Sequence, residues 1–202
     1  MAQPANTFDS YDAVGIREDL SDIITNISPE ETPFHTKSRK TTASNTLVEW
    51  QTDSLRSSAA NAHIEGDATA ASAMTATSRL NNRTQIFKNA VVVPDTDEGL
   101  DKAGRAREIA YQTLKIAKEQ KLDIEKALFD NNAKVAGNAS TARELAGAPA
   151  WMTTNVSFQS GNSGANPTGD GTDARTDDGT ATAFSQTKFD TVMQSIWENG
   201  GN

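Results

Sequence analysis

The residues best placed to do chemistry are four aspartates in one polar loop, Asp170, Asp173, Asp177 and Asp178. Carboxylate oxygens are the ligands that calcium prefers, so a loop dense in them is a candidate ion site. The spacing departs from the calcium-loop pattern D-x-[DN]-x-[DN]-G, because Arg175 holds the middle position. The sequence therefore favours a solvated surface loop over an ion site, and we predict neither a metal nor another cofactor.

Residue types that could act as catalysts are sparse. The chain has no cysteine, and its two histidines, His35 and His63, have no second histidine at metal-ligand spacing. No G-x-S-x-G motif is present to hold a serine nucleophile, and neither G-x-x-x-x-G-K-[ST] nor G-x-G-x-x-G is present to bind phosphates. We therefore predict that the protein is not an enzyme.

The composition limits both the core and the partners. Hydrophobic residues make up 36% of the 202 residues and aromatic residues only 6%, so much of the chain cannot lie in a dense core. The net charge of −8 argues against a dedicated grip on nucleic acid, which depends on concentrated Lys and Arg. The longest apolar run is too short to span a bilayer, and we expect no membrane partner.

The longest uninterrupted segment, residues 105–131, contains neither proline nor glycine. As a single α-helix it would be about 40 Å long. On a helical wheel one broad apolar face gathers most of its alanine, isoleucine and leucine side chains, whereas Tyr111, Leu122 and Phe129 fall on nearly the opposite side. Two apolar stripes predict a helix that is covered on both sides, once by its own domain and once by another segment or another copy of the chain.

The N-terminal residues 1–37 have the character of an arm. Leu20, Ile23, Ile24 and Ile27 follow the spacing of a short amphipathic helix, and Pro29 would end that helix. Such a helix could fold on its own core or lie on a neighbour.

A projecting hairpin is predicted next. Residues 46–52 alternate with the period of a strand, placing Val48 and Trp50 on one face, and residues 84–93 are rich in β-branched side chains. The long segment between them is dominated by Ala, Ser, Thr and Asn, and has little to bury against its own subunit. Near the C-terminal end, Phe189, Met193 and Trp197 mark an amphipathic helix with Gly200 as its cap.

This order of elements, together with six sequence blocks, resembles the major capsid (major head) proteins of tailed bacteriophages, which have the Hong Kong 97 fold. The blocks are NTFDSYDAVGIREDLSDIITNISPEETPF, VEWQTDSL, AHIEGDAT, DKAGRAREIAYQ, KVAGNASTARELAG and IWENGGN, and they span nearly the whole chain. None of these blocks is a catalytic signature.

The resemblance implies an α+β fold of the Hong Kong 97 type. Residues 1–37 would be the N-terminal arm, 38–94 the extended E-loop hairpin, and 95–134 would hold the spine helix of the peripheral (P) domain. Residues 135–202 would be the remainder of the P-domain and the start of the connection to the axial (A) domain. Family members continue past GGN with an A-domain, so we expect that this sequence is either truncated or a compact variant.

The implied function is a structural subunit that self-assembles into hexamers and pentamers of an icosahedral head, enclosing double-stranded DNA without specific binding. The shell would be a virion component assembled in the host cytoplasm, with scaffold, portal and decoration proteins as further partners. Two alternatives remain open at this point: an encapsulin-like bacterial compartment, and a tail or adhesin-type binding module. The candidates for inter-subunit contact are Leu20, Ile23, Ile24, Ile27, Phe34, Trp50, Arg56, Arg79, Tyr111, Leu122 and Phe129.

Overall fold

The computed structural model describes residues 7–16, 18–68, 70–157, 164–176 and 183–201. The chain divides into two compact units, which we call unit 1 (Met1–Glu31 with Asn89–Glu119) and unit 2 (Thr32–Lys88 with Gln120–Asn202). The elements are α1 (Pro33–Lys37), β1 (Leu47–Thr52), β2 (Ser78–Arg83), α2 (Asp95–Glu98), α3 (Glu108–Phe129), a 3-10 turn (Ala148–Trp151) and α4 (Gln186–Glu198). The predicted mixture of helices and strands is confirmed.

The long helix α3 covers 22 residues, within the predicted span and a few residues shorter at each end. Lys115 and Glu119 form an ion pair of 3.8 Å along its surface, as expected of residues four apart. Lys121 and Glu125 are also four residues apart but form no ion pair among the described residues. Glu125 instead accepts hydrogen bonds from the backbone of α1.

The hairpin is an antiparallel pair, with Trp50 opposite Leu80. The first predicted strand is confirmed, but the second prediction, residues 84–93, is wrong, since β2 lies earlier in the chain. The ladder extends only as far as Thr84, whose N–H donates to Thr46 O at 3.0 Å. Beyond that point the segment has no strand beside it among the described residues, and β-branched side chains alone do not make a strand.

The predicted helix over Leu20–Ile27 is also wrong, because residues 20–27 contain no helical turn. Side chains in this segment bond instead to nearby backbone groups: Ser21 Oγ accepts from Ile23 N at 3.3 Å, and Asn26 Oδ1 accepts from Ser28 N at 3.0 Å. Short polar side chains of this kind offer the backbone an alternative to helical hydrogen bonds. The apolar periodicity is real, but local hydrogen bonding outweighs it.

The C-terminal helix α4 forms where the apolar stripe predicts it. Its N-cap residue, Ser185, accepts a hydrogen bond from Lys188 N at 3.4 Å. Beyond its C-terminal end, Gly200 takes the left-handed conformation with φ of 85°, as expected for a glycine that terminates a helix.

The tightest packing in unit 2 surrounds the 3-10 turn. Ala150 is fully buried and Ala146 nearly so. Gly171, with φ of 76°, lies against the indole of Trp151, where a Cβ would come within 2.7 Å of Cζ2. At Gly147 a Cβ would overlap the carbonyl oxygen of Asp130. The 3-10 turn is therefore held by close contacts at two positions where a side chain larger than that of glycine would not fit.

Replacing Gly147 with alanine is expected to destabilise the protein by about 3 kcal/mol, the upper end of the usual cost of overpacking, because the added methyl group meets backbone rather than a flexible side chain. The change should appear as a lower urea midpoint in an unfolding titration. Gly99→Ala is the matched control, since a Cβ there is 3.5 Å from its nearest neighbour. Equal midpoints for the two variants would contradict the packing described here.

Candidate inter-subunit surfaces

The short helix α1 is held by two side chains of α3, four residues apart. Glu125 accepts hydrogen bonds from Phe34 N at 2.9 Å through Oε1 and from His35 N at 2.7 Å through Oε2. The ring of Phe129 meets that of Phe34 edge-on, with centroids 5.0 Å apart. The N-cap residue Thr32 makes no side-chain cap, so Glu125 satisfies donors that the sequence of α1 leaves open.

Two predicted contact candidates, Phe34 and Phe129, are thus brought together within one subunit. Each keeps nearly half of its surface exposed, so the pair still offers an apolar surface. Leu122, about two turns before Phe129 on α3, is also exposed, at 36%. The second stripe predicted on α3 is therefore partly covered by α1.

The hairpin is packed against the 3-10 turn through a pair of indoles. Trp50 lies 5.2 Å from Trp151 between ring centroids and remains about one third exposed, at 38%. Across the hairpin, Arg79 Nε is 3.5 Å from Glu49 Oε1 in an exposed ion pair. Arg56 lies in the connection between the strands and donates to Ser57 O at 3.0 Å.

A set of polar contacts that sequence reasoning missed fixes the base of the hairpin. Lys134 Nζ donates to the backbone oxygens of Asn81 at 2.9 Å and Asp170 at 2.8 Å. The side chain of Asn82 bonds to both backbone groups of Ala146, accepting at 2.9 Å and donating at 3.3 Å. Single polar residues carry no periodic pattern, so nothing in the sequence indicated these roles.

The four apolar candidates between Leu20 and Ile27 belong to unit 1. Leu20, Ile23 and Ile27 are exposed, each at 72% or more. Ile24 is the best covered of the four, because it lies against Gly104, where a Cβ would come within 2.8 Å of Ile24 Cγ1. Within unit 1 the arm therefore docks at one apolar residue and leaves the others open.

The first turn of α3 carries a charged cluster in unit 1. Glu108 is buried and receives Gln112 Nε2 at 2.6 Å and the guanidinium of Arg105, with Lys102 Nζ 3.7 Å away. The hydrogen bond from Gln112, followed by those charges, holds the pKa of Glu108 below its ordinary value against the effect of burial. The carboxylate thus stays ionised at neutral pH.

Tyr111, another contact candidate, is half-buried beside this cluster. The guanidinium of Arg105 lies 5.4 Å from its ring centroid, within reach of a cation–π contact. One further carboxylate, Glu98, accepts a hydrogen bond from Ile109 N at 3.0 Å and so caps α3 from outside the helix.

The two described aspartates of the polar loop, Asp170 and Asp173, accept hydrogen bonds from neighbouring threonines of the same loop. Asp170 Oδ1 accepts from Thr172 Oγ1 at 2.5 Å, from Thr172 N at 2.8 Å and from Thr168 Oγ1 at 2.9 Å. These bonds, led by those of Thr172, lower the pKa of Asp170. Asp173 accepts from Thr168 N at 3.1 Å. The other two aspartates of the prediction, Asp177 and Asp178, lie outside the described residues.

Within the described part of the chain, no group of three or more His, Cys, Asp or Glu side chains is arranged to hold a metal ion. None of the described helices is long and apolar enough to cross a membrane.

Comparison with known proteins places the chain among phage major capsid proteins. Over residues 3–202 it matches the SU10 major capsid protein family, and it belongs to that family. It is also 38% identical over 135 residues to the major capsid protein of Escherichia phage Phieco32. This match covers 66% of the chain and 38% of the Phieco32 protein, so the chain spans less than half of that relative. The resemblance to phage major capsid proteins is thus confirmed at the level of the family.

Replacing Glu125 with alanine should cost about 1–2 kcal/mol of stability, the range of a lost helix cap, because two N–H groups of α1 lose their acceptor. Hydrogen exchange at Phe34 and His35 should accelerate as α1 loosens. Asp123→Ala, which removes an exposed carboxylate from the same helix, is the control and should leave both amides protected. Unchanged exchange in the Glu125 variant would show that α1 is held by other contacts.

Proposed function

We propose that the protein is a structural subunit of the icosahedral head shell of a tailed phage, with a Hong Kong 97-type fold. In this proposal residues 1–37 are the N-terminal arm, 38–94 the E-loop, 95–134 the segment of the spine helix, and 135–202 the rest of the P-domain with the start of the A-domain connection. Membership of the SU10 family supports a structural rather than an enzymatic role. The shell would form in the host cytoplasm and become part of the virion.

The observation that carries this proposal is the amount of surface that the chain leaves open. Among the described residues the buried hydrophobic side chains are two alanines, whereas many large apolar side chains are exposed. We propose that neighbouring subunits cover these exposed side chains.

The exposed candidates lie on three different features of the chain: the arm, the hairpin and the second apolar stripe of α3. Contacts through different surfaces on the two partners are heterologous, and they close into rings when the rotation between subunits allows it. Hexamers and pentamers of one chain are therefore the arrangement we propose, with scaffold, portal and decoration proteins as further partners. The exposed candidates are Leu20, Ile23, Ile24, Ile27, Phe34, Trp50, Arg56, Arg79, Leu122 and Phe129, and the half-buried Tyr111 completes the set.

Lining a DNA-filled shell is compatible with the net charge of −8, because an acidic wall does not grip packaged DNA. We propose contact with double-stranded DNA without specific recognition.

Electron microscopy of the purified protein tests the shell directly. We expect closed, regular particles or rings of five and six subunits at high protein concentration, because the exposed apolar surface favours association. Light scattering that reports a single well-folded subunit at every concentration would refute self-assembly by this chain.

We further expect the shell to be non-covalent. Some heads of the Hong Kong 97 fold join subunits by an isopeptide bond between an E-loop lysine and a neighbour's asparagine. The lysines nearest to this segment, Lys37, Lys40 and Lys88, lie at the base of the hairpin, and no lysine occurs between Thr41 and Gln85. The arginines there, such as Arg56 and Arg79, are poor nucleophiles because the guanidinium stays protonated. Particles boiled in detergent should run as single subunits on a denaturing gel. A ladder of covalent oligomers would contradict this expectation.

A further inference from the structure

Charge is distributed unevenly along the first 48 residues. Residues 1–31 contain seven Asp and Glu against a single cation, Arg17, and we call residues 7–31 the acidic arm. Residues 32–48 contain no Asp or Glu but carry Lys37, Arg39 and Lys40 within four positions. We call residues 37–40 the basic run. The two charge blocks follow one another along the chain, with opposite signs.

The basic run starts at the end of a helix that is fixed to α3. It begins in the last turn of α1, which Glu125 and Phe129 hold in place. None of its three cations forms an ion pair with a described residue, and all three are exposed. The C-terminal dipole of α1 accounts for Lys37 alone, because Arg39 and Lys40 lie beyond the helix, after Ser38 has turned to an extended conformation.

The acidic arm has unpaired charges of its own. Near its end, Glu30 Oε2 pairs with Lys118 Nζ at 2.8 Å. Farther towards the N-terminus, Asp12, Glu18 and Asp19 are exposed and form no ion pair with any described residue. Each copy of the chain therefore carries one open acidic block and one open basic block.

We infer that the acidic arm of one copy binds the basic run of another copy, an assignment that rests on the self-assembly proposed above. Equal numbers of the two blocks are present in any assembly of one chain, so each run can be matched by one arm. A nucleic-acid partner fits less well, because only three cations are grouped there and the acidic arm precedes them in sequence. Charge matching of this kind fixes register and partner choice more than affinity.

A binding measurement on single subunits tests the contact without requiring a shell. The probe is a fluorescent peptide of residues 7–31, titrated with the full chain at low salt and at a concentration where light scattering reports single subunits. We expect saturable binding that weakens as salt is raised. Lys37→Glu, Arg39→Glu and Lys40→Glu together should weaken binding by at least about tenfold, and the corresponding triple alanine variant by less.

The matched control reverses three other exposed lysines, Lys88, Lys121 and Lys126, which gives the same change in net charge. This control should bind the peptide nearly as well as the unmodified chain. If the control lost as much affinity for the peptide as the variant with the reversed basic run, the effect would be one of net charge, and the assignment would be overturned.

A charge swap completes the test. A peptide with Asp12→Lys, Glu18→Lys and Asp19→Lys should bind the chain that carries the reversed run and not the unmodified chain. Failure of this rescue would overturn the contact. Tighter binding of a short DNA duplex than of the peptide would also overturn the contact, since the basic run would then be a nucleic-acid site. Particle formation, scored separately by microscopy, reports on the shell itself, so the two proposals can fail independently.

Discussion

Hydrogen bonds from side chains to backbone groups fix the arrangement of the segments of unit 2, because the only hydrophobic residues buried in the described chain are two alanines. Lys134 Nζ joins the backbone of β2 to that of the aspartate loop, and Asn82 joins β2 to Ala146. A hydrogen bond that involves a charged group contributes about 1.5–3 kcal/mol, more than a neutral one. Such bonds are directional, whereas apolar contact is not. The direction in which the hairpin leaves its base is therefore specified by a few polar atoms.

In two helices, a carboxylate from elsewhere in the chain accepts hydrogen bonds from backbone N–H groups at the helix N-terminus. Glu125 accepts from α1, and Glu98 accepts from Ile109 at the start of α3. A helix capped by its own N-cap residue can form locally, whereas one capped from elsewhere depends on tertiary structure. In α1, which has five residues, that dependence is almost complete because so short a helix is unstable by itself.

Apolar periodicity in the sequence predicted three elements correctly and one wrongly. Helices α3 and α4 and strand β1 were predictable because their apolar positions recur with the period of the element. The strand over residues 84–93 was wrong because a strand needs a partner, which composition does not reveal. The helix over residues 20–27 was wrong because Ser21 and Asn26 bond to the backbone within two residues. Of the surface candidates, exposure was predictable from the surplus of apolar residues, whereas the pairing of Phe34 with Phe129 was not.

The connection between β1 and β2 can change in length without disturbing the strands that it joins. Every described residue between positions 53 and 77 is exposed, and none lies in a helix or strand. The entropy of closing a flexible loop rises only with the logarithm of its length, about 0.6 kcal/mol for each doubling. Residues can thus be added or removed here at little thermodynamic cost while β1 and β2 stay in register. Within the single subunit, the tip of the hairpin is therefore a place where an inserted peptide would disturb the fold little.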